Sequence, residues 1–214
     1  TVTAVNDAPV LAAIEGAALG YTENAAATAI TSTVTLTDVD NATMASATVQ
    51  ITTNYQNGQD VLSFTNTAGI TGSWNAVSGN LTLSGPDTVA NYQAALRAVR
   101  YSNSSENPST LARTVSFTAN DGTVNSNTVT RNITVTAVND APVLAAIEGA
   151  ALGYTENAAP TAITSTVTLT DVDNATMTSA TVQITTNYQN GQDVLSFTNT
   201  AGITGSWNAV SGTL

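Results

Sequence analysis

Residues 134 to 214 repeat residues 1 to 81 at an offset of 133, with three differences: Pro160 stands for Ala27, Thr178 for Ala45 and Thr213 for Asn80. That period is far longer than a solenoid unit of roughly 20–50 residues, which stacks on its neighbours because it cannot bury a core alone. A copy of this length can close a core of its own, so the chain reads as whole domains in tandem. The opening words Thr1 to Val5 return as Thr134 to Val138 at the end of the first full copy. Residues 1–5 are therefore expected to be the C-terminal strand of a preceding repeat, 6–138 a complete repeat, and 139–214 a truncated second copy, the whole being a window cut from a longer array.

Hydrophobic alternation sets the fold class. Val34 and Leu36 stand between threonines, Val49 and Ile51 between Thr48, Gln50 and Thr52, and Leu81, Leu83, Val115 and Phe117 follow the same period of two. This is the pattern of half-buried β-strands. Breaks fall at Asn57-Gly58, a strong hairpin dipeptide, and at Ser78-Gly79, Gly85-Pro86 and Asp121-Gly122. Many strands separated by turn signals predict an all-β antiparallel sandwich. One stretch differs: Val89, Tyr92, Leu96 and Val99 are spaced for a short helix, with Asp87 or Thr88 as its N-cap. In the closing stretch Val129, Ile133 and Val135 share a face with Arg131, so either a bulge shifts the register or the guanidinium reaches an edge.

The chain has no Cys, His or Lys. It therefore lacks the usual general base, thiol nucleophile, Schiff-base amine and zinc ligands, and is expected not to be an enzyme. Without Lys there is no lysine-asparagine isopeptide staple either. Fifteen acids against four Arg give a net charge of −11, which disfavours nucleic acid and anionic membranes and favours cations. No apolar run is long enough for a transmembrane helix. Trp74 and Trp207, with Tyr55, Tyr92 and Tyr101, could form a sugar-stacking platform, but Trp74 alternates with Ile70 and Gly72 as core and rim residues do.

The acids collect at the turns, in Asn6-Asp7, Glu23-Asn24, Asp38-Val39-Asp40-Asn41 and Asn120-Asp121-Gly122. Turns favour Asp for backbone reasons alone. Yet Asp-x-Asp also directs two carboxylates from one turn toward one point, and Ca²⁺ takes six to eight oxygens from carboxylates, amides and the main chain. Asp60 and Glu106 read as solvated turn residues.

Four words taken in order resemble the cadherin-like repeats of large bacterial surface adhesins: Val138-Asn139-Asp140-Ala141-Pro142-Val143, Tyr21-Thr22-Glu23-Asn24, Asp38-Val39-Asp40 and Phe117-Thr118-Ala119-Asn120-Asp121-Gly122. The resemblance implies tandem antiparallel Greek-key sandwiches of the immunoglobulin or cadherin kind, here with one short helix per repeat, joined end to end by calcium. Carried over by position, one junction would use Glu23, Asn139, Asp140, Asp171 and Asp173, and the one before it Asp7, Asp38, Asp40 and Asp121. Glu156 is the second copy's counterpart of Glu23. The acidic pair that animal cadherins place mid-domain has no clear match, which implies fewer ions per junction, about one. The expected role is a calcium-rigidified spacer of an extracellular or cell-surface protein, in adhesion, biofilm or a filament. Its partners would be neighbouring repeats of the same chain, with no nucleic acid and no membrane insertion. The alternatives are a carbohydrate- or protein-binding module, taking surface glycans, and a strand-exchanging subunit of an extracellular filament.

Overall fold

A computed structural model describes residues 1–214. In chain order the elements are β1 (Val10–Ala12), β2 (Leu19–Thr22), β3 (Thr28–Ala29), β4 (Thr35–Thr37), β5 (Thr43–Thr53), β6 (Asp60–Ser63), β7 (Thr71–Asn75), β8 (Asn80–Thr88), α1 (Val89–Ala98), β9 (Arg100–Asn103), β10 (Arg113–Asn120), β11 (Val129–Thr136), β12 (Val143–Ala145) and β13 (Thr168–Thr170). Six strands form one sheet in the order β2-β11-β10-β5-β8-β7, and three form another, β3-β9-β6. The pairs β1-β4 and β12-β13 complete the set. All pairings are antiparallel except β2 alongside β11. The chain is mostly β, and its sheets lie in a sandwich-like arrangement.

The core follows from the alternation. Val49 and Ile51 of β5, Leu81 and Leu83 of β8, Val115 and Phe117 of β10, and Ile133 and Val135 of β11 all turn inward. They join Leu62 and Tyr101 and the buried face of α1, formed by Tyr92, Ala95 and Leu96. The intervening threonines face outward, where their β-branched side chains suit a pleated surface. Thr88 is the N-cap of α1, its hydroxyl accepting from the Asn91 amide at 3.1 Å. Asp87 holds the Asn91 side-chain amide instead, at 2.7 Å.

Two expected breaks differ from the sequence pattern. Gly85-Pro86 lies within β8: Ser84 faces Ser46 while Asp87 faces Met44, so β8 carries one extra residue there, a bulge. Gly85 has φ 122°, and a Cβ added to it would stand 2.2 Å from the Gly69 carbonyl oxygen. Gly85→Ala is expected to lower the unfolding free energy by about 2 kcal/mol, measured as a shift in urea midpoint without change in slope. Asn57-Gly58, in turn, does not join paired strands, because β5 belongs to the large sheet and β6 to the small one. Its turn carries the chain from one layer to the other and is closed by Asp60, whose amide donates to the Gln56 carbonyl at 2.9 Å.

Asp60 is not a solvated turn residue. It is 1 % exposed and accepts from Arg113 Nε at 3.2 Å, the Tyr101 hydroxyl at 2.6 Å, Asn103 Nδ2 at 2.7 Å and the Gln56 amide at 2.8 Å. Burial, then the contact with Asp60, pushes the Tyr101 phenol up. Arg131 resolves the other way from a bulge. Strand β11 keeps its alternation, and the guanidinium reaches the sheet edge to contact the carbonyls of Ala17 and Ile30 and the Glu15 carboxylate. Partial burial works to raise the Glu15 carboxyl, but hydrogen bonds from Ser32 and Thr31 outweigh it and hold its pKa at about 2.

The chain divides into two compact units, Thr1–Asp173 and Asn174–Leu214. In the first, β12 and β13 pair Val143 with Thr170 just as β1 and β4 pair Val10 with Thr37. The second has isolated bridges only, yet it reproduces local contacts of the first copy. Tyr188 meets Trp207 edge-on at 6.1 Å as Tyr55 meets Trp74, and Asp193 accepts from the Gln189 amide at 2.8 Å as Asp60 does from Gln56. Between the two sequence copies, the second of which begins within the first unit, the apolar side chains differ: Leu11 and Tyr21 are 2 % exposed, their counterparts Leu144 and Tyr154 71 % and 61 %.

Candidate metal centre

The parallel pairing of β2 with β11 sets Thr22 opposite Thr136, so the residues that follow run side by side. The Glu23 amide donates to the Thr136 carbonyl at 2.9 Å, and Glu23 Oε2 accepts from the Val138 amide at 2.7 Å. Glu23 is buried, at 6 % exposure. Next, β12 against β13 brings the linker to the Asp171–Asp173 turn. The Asp140 amide donates to Asp173 Oδ2 at 2.5 Å, and the Asp173 amide to Asp171 Oδ1 at 2.9 Å. The loop after β9 supplies a third group, Glu106, whose Oε2 accepts from Asn24 Nδ2 at 2.9 Å. On the same loop Asn107 Nδ2 reaches the Val172 carbonyl at 3.1 Å.

Glu23, Glu106 and Asp140 thus each present a carboxylate oxygen, all within 4.8 Å of one another. Glu23 Oε1 and Asp140 Oδ2 are buried without a hydrogen-bond partner. Two like charges at about 4 Å repel by about 1 kcal/mol even in bulk water, and by more where water is thinned out. The crowding registers on Asp140: partial burial first, then Asp173, Glu106, Glu23 and Asp171, push its carboxyl above the usual range. A cleft of about 340 Å³ lined by Glu106, Asp140, Asp171 and Thr170 opens beside it. The donors are all oxygen, the set that suits a hard divalent cation.

The other expected group, at the opposite end of the first copy, is gathered differently. The Asp7 amide donates to Asp40 Oδ2 at 3.0 Å, Asp38 Oδ1 accepts from the amides of Asp40 and Asn41 at 3.1 and 2.8 Å, and Asn6 Nδ2 donates to Asp121 Oδ2 at 2.8 Å. Three loops meet, and backbone and asparagine amides occupy Asp40 Oδ2, Asp38 Oδ1 and Asp121 Oδ2, while Asp38 Oδ2 is buried without a hydrogen-bond partner; no three acids come within 4.8 Å there. The Asn6 amide, followed by those of Val124 and Thr123, holds the Asp121 carboxyl below its usual range. Asn139 Nδ2 donates to the Asp140 carbonyl at 2.7 Å. Glu156 is exposed on a turn closed by the Ala158 amide and the Thr155 carbonyl, the counterpart of the Thr22–Ala25 turn that carries Glu23, and it joins no acidic cluster.

Glu106 is the member the sequence reading assigned to solvent. It lies 83 residues from Glu23, in a Ser-, Asn- and Pro-rich loop that carries no distinctive word. Only the sheet registers bring the two together. Tyr92 and Tyr101, offered for a sugar platform, are fully buried, while Trp74 is half-buried against the core. Comparison of the chain with protein-family models, with curated proteins and with solved structures gave no match.

Proposed function

We propose that this chain is a non-enzymatic spacer from an extracellular, adhesive array of cadherin-like Greek-key repeats, with calcium at the junction around residues 138–140. The reading rests on one observation. Glu23 and Glu106 of the first copy converge on Asp140 of the linker, and two of the carboxylate oxygens are buried with no protein donor. Buried acceptors of this kind are costly unless something supplies positive charge. A Ca²⁺ ion would do so, held by Glu23, Glu106 and Asp140, with Asp171 and Asp173 adjoining. The mechanism is electrostatic: unneutralised, these acids push the linker away from the strands on either side, and a shared cation turns that repulsion into a clamp.

Calorimetric titration tests it. The unchanged chain is expected to take up one calcium ion at this junction, and Glu106→Gln or Asp171→Ala to weaken uptake at least tenfold, in line with the loss of a charged ligand or its neighbour. Failure to bind at millimolar calcium would end the clamp reading and leave the repeat architecture untouched.

A further inference from the structure

We infer that Asp60, Asn103 and Arg113 are positioning residues for this metal centre: from inside the core they hold both ends of the 104–112 loop and so fix where Glu106 presents its carboxylate. The inference rests on the proposed calcium reading and deepens it. At the near end, Asp60 Oδ1 accepts from Asn103 Nδ2 at 2.7 Å, and Asn103 Oδ1 in turn accepts from the Ser105 amide at 2.9 Å. Ser105 Oγ accepts from the Asn107 amide at 3.2 Å, so the backbone on both sides of Glu106 is fastened. At the far end the Arg113 guanidinium pairs with the other oxygen of Asp60 and donates through Nη1 to the carbonyls of Ser109 and Leu111, the latter at 2.8 Å. Asp60 and Arg113 are both fully buried, so the two ends hang from one dehydrated ion pair.

A single buried carboxylate thus serves two purposes. It neutralises Arg113, and through Asn103 it sets the loop on which an acidic ligand sits. Outer-shell partners of this kind commonly govern metal affinity by 10–100-fold, although Asp60 itself is expected to touch no metal.

The test uses the full chain with Asn103→Ala and the milder Ser105→Ala, each made alone and with Glu106→Gln. Amide exchange followed by NMR without added metal is expected to speed up at Ser105 and Asn107 in Asn103→Ala, and at Asn107 in Ser105→Ala. Calcium titration should show binding weakened about tenfold by Asn103→Ala, with no further loss when Glu106→Gln is already present. Equal weakening in both backgrounds would overturn the inference, because it would mean general destabilisation rather than an effect passed through Glu106. Unchanged amide exchange in Ser105→Ala would overturn it too, and that arm stands even if Asn103→Ala fails to fold. Absence of calcium uptake by the unchanged chain would overturn the metal reading itself, while exchange would still decide whether the loop is held from the core.

Discussion

Replacing Arg113 by alanine is expected to lower the unfolding free energy of the first copy by about 3–5 kcal/mol, the usual consequence of stranding one member of a buried ion pair. Asp60 would keep three neutral donors, Tyr101, Asn103 and the Gln56 amide, but no counter-charge, at 1 % exposure. The loss would be read in urea, with Trp74 fluorescence in a Trp207→Phe background so that only the first copy reports. The double replacement Asp60→Asn with Arg113→Met should cost less, because it removes the desolvated charges along with their attraction while an amide oxygen still accepts from Tyr101 and Asn103. A single replacement within 1 kcal/mol of the unchanged chain would show that water reaches the pair and that it contributes little.

Calcium should move stability in the opposite direction and by a comparable amount. A ligand that binds only the folded state adds about 2.7 kcal/mol at 100 times its dissociation constant and about 4.1 at 1,000 times. The same fluorescence assay should therefore show the urea midpoint rising with calcium and returning on addition of EDTA. Magnesium should do less, since it demands a compact octahedral shell and gives up its water reluctantly, whereas these carboxylates come from three separate loops. Glu23→Gln should abolish most of the gain. Sodium chloride at matched ionic strength separates screening from binding: it can relieve repulsion between the more exposed acids, but reaches buried groups poorly. A midpoint indifferent to calcium would argue that the acids are tolerated as they stand.

Much of this fold was legible because its strands alternate with little interruption, and α1 because Tyr92 and Leu96 keep helical spacing behind a Thr88 cap. What escaped the sequence depended on which strands became neighbours. Gly85-Pro86 has the composition of a turn, yet the pairing of β5 with β8 absorbs it as a bulge. Asp60 follows a turn dipeptide, yet β6 and β9 pair Asp60 with Asn103 in the interior. One clue was present: Arg113 is in phase with inward Val115 and Phe117, and an arginine on a buried face calls for an acid to meet it. Within the site, Glu23, Asp140, Asp171 and Asp173 were readable as acidic words at turns, while Glu106 was not, since its place is set by a loop held through tertiary contacts.

The second copy builds its turns and its Tyr188–Trp207 pair while Leu144, Tyr154, Val182 and Ile203 remain 46–71 % exposed. In the first copy the counterparts of these residues are covered with the help of α1 and strands β9 to β11, which come later in the sequence. During synthesis from the N-terminus, the first copy must therefore pass through a stage in which its early half has been made but its core is still open. A ribosome adding about 5–20 residues per second holds it there for several seconds. With neighbours that differ at only three of 81 compared positions, an open half could be completed by the late strands of the wrong repeat. Close sequence identity between adjacent domains thus carries a kinetic hazard of misassembly, and rapid closure of each repeat before the next emerges would be the chain's main protection against it.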